Sequence, residues 1–167
     1  MSERPEAQTA TRGGEQSAAM SRATQELLRL IPKADGCAVL LVVEDQLVEA
    51  CRAGNLGEPE QGRLGINESL SGLALLSGSA FRCDDAAESP FVDHSTTRRL
   101  GVASFVSVPL RDGIRAAGVF IAASKERAAF NDRDVEILGR AAHSLEDELA
   151  PRARRMRRFA RGKQGLA

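Results

Sequence analysis

The sequence lacks the features that identify several large functional classes. It contains no Trp, no Tyr and only six Phe, so it lacks the aromatic platforms on which single-stranded nucleic-acid binders stack bases. Its longest apolar run is the seven-residue stretch Cys37 to Val43, whereas a transmembrane helix needs about 20 residues. The N-terminal stretch carries acids and no apolar segment. No secretory signal is therefore predicted, and we expect a cytoplasmic protein that does not span a membrane.

Cysteine and histidine are also scarce. The three cysteines, Cys37, Cys51 and Cys83, form no CxxC pair, which in a cytosolic protein predicts reduced thiols rather than disulfides. His94 stands beside an acid but has no second His at helical spacing, and His143 is expected on a helix surface. The sequence therefore predicts neither a metal site nor a catalytic residue.

The formal net charge of zero is a sum over two unlike parts. The chain has 23 Lys and Arg against 23 Asp and Glu, and seven of the cations follow Pro151 with no acid among them. The preceding residues keep 16 cations against 23 acids. We therefore expect a disordered leader over 1–16, one domain over 17–150 and a basic tail over 151–167. The tail can extend the last helix, contact an anionic surface or be disordered, but nucleic acid is not an expected partner because the acidic domain would repel it.

Hydrophobic spacing predicts the elements of an α+β domain with a hairpin-built, mostly antiparallel sheet. A long loop is expected over 54–65, and a second loop after Cys83 should lead into one or two turns of helix around residues 98–101. The short helix after Asn67 or Ser69 should bury Leu70, Leu73 and Ala74. The remaining predicted elements are helices at 17–31, capped by Ser17, and at 132–149, capped by Asn131, and strands at 37–43, 47–53, 81–83, 102–110 and 114–124.

Several of these strands are apolar on both sides and therefore need cover on both faces of the sheet. The two long amphipathic helices can supply only one cover. The segment Gly65 to Gly101 must supply the other. A cavity covered in this way is typical of small-molecule sites.

The order of the elements and the residues that fill them resemble the GAF domain family, the small-molecule sensor and dimerisation modules of signalling proteins. The chain is most similar to modules found upstream of bacterial diguanylate cyclases and sensor kinases. The resemblance implies a six-stranded antiparallel sheet with the terminal helices on one face and a pocket under loops and short helices on the other. The matching residues are Ser71-Gly72-Leu73-Ala74, Ser77-Gly78, Asp85, Pro90-Phe91, Val108-Pro109-Leu110, Gly118-Val119-Phe120, Phe130, Asp134 and Leu138.

Polar groups concentrate between Phe81 and Gly101, which we call the lid. They can converge on a ligand, or they can cap turns in a solvated loop. Asp84 and Asp85 should raise the pKa of Cys83 and so disfavour its reactive thiolate. The candidate ligand-binding residues are Cys83, Asp84, Asp85, Phe91, Asp93, His94, Arg98 and Ser104.

Taken together, these patterns favour a small-molecule-sensing module that forms a homodimer through its two long helices and acts on a separate signalling partner. One alternative is an enzyme similar to the free methionine sulfoxide reductases of the family. That class carries a cysteine before the strand ending in Val-Pro-Leu, where this chain has Gly101-Val102-Ala103, so we expect no enzyme activity. Another alternative is a purely structural interaction module. The sequence names neither the ligand nor a cofactor.

Overall fold

The computed structural model describes residues 6–57, 63–67 and 69–150, with side chains from residue 13 onward. The predicted basic tail and residues 1–5 lie outside this part. None of the helices in the described ranges is long and apolar enough to cross a membrane. The elements are α1 (Glu6–Leu30), β1 (Gly36–Val43), β2 (Gln46–Gly54), β3 (Arg63–Gly65), α2 (Leu70–Ser77), β4 (Phe81–Cys83), α3 (His94–Leu100), β5 (Ser104–Asp112), β6 (Arg115–Ser124) and α4 (Asp132–Leu149).

The strands form a six-stranded sheet in the order β3-β2-β1-β6-β5-β4. Every neighbouring pair is antiparallel, which confirms the predicted sheet. The β5–β6 hairpin turns at Gly113 and Ile114, because Asp112 pairs with Arg115. Gly113 has a φ of 67°, a conformation that costs glycine little.

The main core lies between the sheet and the pair of long helices, α1 and α4. Val39 of β1, Phe120 of β6 and Leu138 of α4 are fully buried in it. The predicted cap of α4 is present as a reciprocal capping box: the Asp134 N–H donates to the Asn131 side chain (3.1 Å), and the Asn131 N–H donates to the Asp134 carboxylate (2.9 Å). Such a cap contributes about 1 kcal/mol to the stability of the protein and fixes where the helix begins.

The first helix is longer than predicted. It begins at Glu6 rather than at Ser17, so the expectation of a disordered leader is wrong for residues 6–16. Gly13 and Gly14 suggested a loop, since each glycine costs about 1 kcal/mol in a helix interior. The helix nevertheless runs through both, and both are exposed.

The segment between β2 and β5 contains more regular structure than predicted. β3 pairs with β2 inside the expected long loop. The predicted one or two turns of helix before Gly101 are present as α3, which starts at His94 inside the predicted loop, because the Asp93 side chain accepts hydrogen bonds from the backbone N–H groups of Ser95 (3.0 Å) and Thr96 (3.3 Å). A strand as short as β3 has no local signal, because it forms only by pairing with a distant strand.

α2 has the predicted ends but a different buried face. Ser69 caps its start and the left-handed Gly78 ends it. Leu75 is buried in place of Leu73, which is 38% exposed. The reason is that a Cβ at Gly72 would lie 1.7 Å from the Ile66 carbonyl oxygen. The small Ser71-Gly72 edge therefore packs inward, and Leu73 lies on the outer face.

Candidate functional site

A cavity of about 430 Å³ lies on the sheet face opposite α1 and α4. Side chains alternate between the two faces of a strand, so the residues next to the buried Val39 and Phe120 point into the cavity. Its floor is apolar, and the floor residues are Ala38, Leu40, Phe105, Ile121 and Ala123.

Two parts of the chain cover this floor. One is the lid, from Val92 through α3 to Val102. The other runs from β3 into the first turn of α2 and includes Arg63, Leu64, Ser69 and Ser71. Most of this cover falls within the predicted segment 65–101, but Arg63 and Leu64 of β3 and Val102 lie outside it. The cover brings polar groups to a mainly apolar space.

A β-bulge in β2 places an ion pair on the cavity wall. Val39 pairs with Cys51, but the next residue of β1 pairs with Glu49, which leaves Ala50 as the extra residue. The bulge puts Glu49 and Arg52, three residues apart, on the same face. The Arg52 guanidinium holds the Glu49 carboxylate through two hydrogen bonds of 2.7 and 2.8 Å. Both side chains are about three-quarters buried.

Gly57 connects this ion pair to the lid. Arg52 Nη1 donates to the Gly57 carbonyl (2.9 Å), and the Gly57 N–H donates to the Leu100 carbonyl at the end of α3 (3.1 Å). A Cβ at Gly57 would lie 2.3 Å from the Arg99 carbonyl oxygen. The sheet wall and the lid are therefore joined at a point where only glycine fits.

Asp93 organises the cavity side of the lid. Besides its two backbone bonds, its carboxylate accepts a hydrogen bond from the Thr96 hydroxyl (2.7 Å). That side-chain bond, followed by the backbone N–H groups and the charge of Arg99, holds the pKa of Asp93 below its ordinary value. Asp93 is thus an ionised cap at neutral pH, and it lines the cavity.

The other predicted ligand residues lie outside the cavity lining. Cys83 is buried beside Phe105 in a small apolar cluster. Ser104 faces the α1–α4 side, where its hydroxyl donates to the Glu126 carbonyl (2.6 Å). Phe91 is 64% exposed. A ligand contact from each of these residues stays a prediction.

Five of the predicted residues remain: Asp93, which lines the cavity as described above, and four residues that make local contacts. Asp84 pairs with Arg82 (3.2 Å), and Asp85 with Arg127 (3.5 Å). His94 Nε2 lies 2.8 Å from the Ser89 carbonyl oxygen, and Arg98 Nε donates to the backbone of His94 (3.3 Å). These contacts stabilise the lid as the alternative reading of capped turns predicted.

Four polar residues that were not predicted also line the cavity: Glu49, Arg52, Arg63 and Ser71. In a regular strand Glu49 and Arg52 would lie on opposite faces, and the bulge places them on the same face. Two charged residues three apart in an otherwise apolar strand were the available signal, because bulges often redirect side chains near sites.

The pKa values of the two buried thiols, Cys37 and Cys83, are raised, which disfavours their thiolate forms. Burial, with a further contribution from the nearby Cys51, raises the pKa of Cys37 to about 12. Cys37 is among the residues that line the cavity, but its thiol donates to the Thr24 carbonyl of α1 (3.0 Å). Burial also raises the pKa of Cys83, and the neighbouring Asp84 and Asp85 act in the same direction, as predicted.

An antiparallel sheet with paired terminal helices on one face and a covered cavity on the other places the chain among α+β domains that carry a pocket on one face of the sheet. The GAF domain model matches residues 15–149, so the chain belongs to the GAF domain family. This confirms the resemblance seen in the sequence. No curated protein sequence matches the chain significantly.

Solved structures share the fold. A type II free methionine-R-sulfoxide reductase from Thermoplasma acidophilum is 20% identical, with a TM-score of 0.73 over 83% of this chain and 94% of that one. The free methionine-R-sulfoxide reductase from Neisseria meningitidis, solved with its substrate, is 24% identical, with a TM-score of 0.70 over 80% and 77%. The GAF-B domain of DevS from Mycobacterium smegmatis is 18% identical, with a TM-score of 0.64 over 91% and 99%. These likenesses show the fold alone.

Proposed function

We propose that the protein is a sensor that binds a small molecule in the cavity under the lid. The observation that carries this proposal is the cavity itself, about 430 Å³ with an apolar floor and polar groups confined to its walls. Sites for small molecules commonly have this size and this distribution of polar groups. GAF domains are commonly sensory modules, which supports the same function.

The ligand would act on the lid. α3 contributes Asp93, Ser95 and Thr96 to the cavity, and none of its residues is fully buried. A ligand that contacts both the floor and α3 would favour the conformation in which α3 covers the cavity. This shift in the populations of α3 conformations would transmit ligand binding to the protein surface. A separate signalling partner would detect that change.

Blocking the cavity tests the proposal. Ala38→Leu should fill part of the floor, whereas Ala116→Leu places the same side chain on an exposed position of β6. A thermal-shift screen against a metabolite library, together with native mass spectrometry of the purified protein, would detect a ligand. At 100 times its dissociation constant, a ligand adds about 2.7 kcal/mol to stability. The shift should be lost in Ala38→Leu and kept in Ala116→Leu. No co-purifying mass and no stabilising compound would count against a sensor.

We also propose that the protein forms a homodimer through α1 and α4. The two helices pack side by side over the sheet, and Arg22 of α1 pairs with Glu148 of α4 (3.0 Å). Leu30, at the end of α1, remains 50% exposed. Leu30→Glu should therefore shift the mass measured by light scattering towards the monomer. Ile114→Glu, at the 98% exposed hairpin tip, is the matched control and should leave the mass unchanged.

A binding function is favoured over thiol catalysis. Cys83 is buried outside the cavity lining, and its raised pKa disfavours the thiolate. Cys83→Ser should accordingly leave ligand binding unchanged. Reduction of free methionine sulfoxide by the purified protein, abolished in Cys83→Ser, would instead establish the enzyme.

A further inference from the structure

The first turn of α2 presents a buried hydroxyl to the cavity. Ser71 is only 4% exposed and lines the cavity. Its hydroxyl makes no hydrogen bond to any of the described residues, whereas the neighbouring Ser69 hydroxyl donates to the Gly65 carbonyl (2.8 Å). Unlike the Ser107 oxygen, the Ser71 oxygen is not sealed off from solvent, so it is accessible from the cavity. Ser71 therefore has hydrogen-bonding capacity that a molecule in the cavity can use.

The backbone N–H groups next to Ser71 are further potential hydrogen-bond donors. Ser69 accepts a hydrogen bond from the N–H of Gly72 (3.1 Å), but among the described residues the N–H groups of Leu70 and Ser71 have no acceptor. The first N–H groups of a helix lack intrahelical partners and favour a negative charge. Hydroxyl and N–H donors therefore meet at one end of the cavity.

Among the described lining residues, cations outnumber acids, which is the reverse of the balance in the domain. These are Arg52, Arg63 and Arg99 against Glu49 and Asp93, and the Arg52–Glu49 ion pair is neutral as a unit. Residues 1–150 carry 16 cations against 23 acids. Arg63 donates to the neutral side chain of Gln46 (3.2 Å), and it lies on the same covering segment as Ser71. The wall thus attracts an anion more than a cation.

We propose that the cavity binds an amphipathic anion, with its carboxylate or phosphate oxygens at the first turn of α2 and its apolar part on the sheet floor. Ser71 and the adjacent N–H groups donate to the oxygens, and Arg63 supplies the opposing charge. The apolar part lies against Ala38, Leu40 and Ile121. This inference rests on the proposed function, and it adds the chemical class of the ligand.

Isothermal titration calorimetry with three probes of equal chain length tests it. The probes are octanoate, n-octyl phosphate and the neutral 1-octanol. At least one anion should bind about tenfold tighter than octanol, and the tighter of the two identifies carboxylate or phosphate as the preferred group. Ser71→Ala and Arg63→Gln should each weaken anion binding roughly five- to tenfold, as expected for one lost hydrogen bond or charge, and leave octanol binding within about twofold.

Two matched controls separate the site from general effects. Ser77→Ala removes a hydroxyl from the exposed end of the same helix, and Arg140→Gln removes an exposed cation from α4. Both should bind the anions as the parent does. Octanol binding as tightly as both anions, or equal losses in the site and control variants, would overturn the anion site while leaving a ligand cavity. Binding of none of the three probes would overturn both this inference and, with an empty metabolite screen, the proposed function.

Discussion

Two buried serines on β5 allow a test of how hydrogen bonding of a buried hydroxyl affects stability. Ser104 and Ser107 are both fully buried, but their hydroxyls differ. The Ser104 hydroxyl donates to the Glu126 carbonyl (2.6 Å) and accepts from the Ala129 N–H (3.3 Å). The Ser107 hydroxyl has no hydrogen-bond partner in the part of the chain that the structure describes. The same substitution should therefore have opposite effects at the two positions.

The magnitudes follow from the groups that each change leaves behind. Ser104→Ala would leave the buried N–H of Ala129 and the Glu126 carbonyl without partners, and an unsatisfied buried group costs about 1–3 kcal/mol. We expect a loss of about 2–3 kcal/mol, which at about 2–4 °C per kcal/mol lowers Tm by about 5–10 °C. Ser107→Ala removes a hydroxyl that loses its hydrogen bonds to water on folding. The substitution should therefore raise the free energy of unfolding by about 1 kcal/mol.

Urea unfolding followed by far-ultraviolet circular dichroism is the suitable assay, because the chain has no Trp or Tyr to serve as an intrinsic probe. The parent, Ser104→Ala and Ser107→Ala should show the same m-value with different midpoints. If Ser107→Ala costs as much as Ser104→Ala, then the Ser107 hydroxyl has a partner in solution and the reasoning from its isolation fails.

Three further predictions follow from backbone and titration properties. Gly72→Ala should lower the free energy of unfolding by at least about 3 kcal/mol, because the new Cβ would overlap the Ile66 carbonyl. Gly139→Ala, where no atom lies within 4 Å of the new Cβ, should raise it by up to about 1 kcal/mol. Similar urea midpoints for the two variants would contradict this. Asp93→Ala should destabilise α3 by about 1 kcal/mol. Because the pKa of Asp93 is lowered in the folded protein, its contribution to stability is present above pH 3.8, its ordinary pKa, and is lost as the pH falls below that value. A titration midpoint above pH 3.8 in the amide chemical shifts of the first turn of α3 would contradict this. The raised pKa of Cys37, about 12 instead of 9.0, gives stability that is complete below pH 9 and declines above it; unfolding free energies that rise between pH 8 and pH 10.5 would refute this.

The elements that the sequence predicted best are those with local signals. The Asn131 cap and the apolar spacing of Leu138, Ala142 and Leu145 define α4 without reference to any other part of the chain. The Asp-Gly pair before Ile114 similarly marks the β5–β6 turn to within one residue. Local hydrogen bonds and side-chain spacing decide these features, so one stretch of sequence contains the information.

The candidate site depends instead on non-local pairing. The face on which Glu49 lies is set by a register shift between β1 and β2, and no residue of β2 alone specifies that shift. Ser71 faces the cavity because Gly72 packs against the Ile66 carbonyl. The lid was predicted as the cover from the apolar character of the strands, but only Asp93 among the eight candidates reaches the cavity lining. The sequence showed that polar residues are concentrated in the lid, but tertiary packing determines which of them line the cavity.

The two faces of the sheet have different tasks, and this has a consequence for any study of the site. On the helix side, Val39 and Phe120 are completely buried and closely packed, so stability resides there. On the cavity side, Ala38 and Ile121 are only partly buried, whereas Leu40, Phe105 and Ala123 are buried. Substitutions of Ala38 and Ile121 should therefore alter binding while leaving the domain folded, which makes ligand preference separable from stability at these two positions.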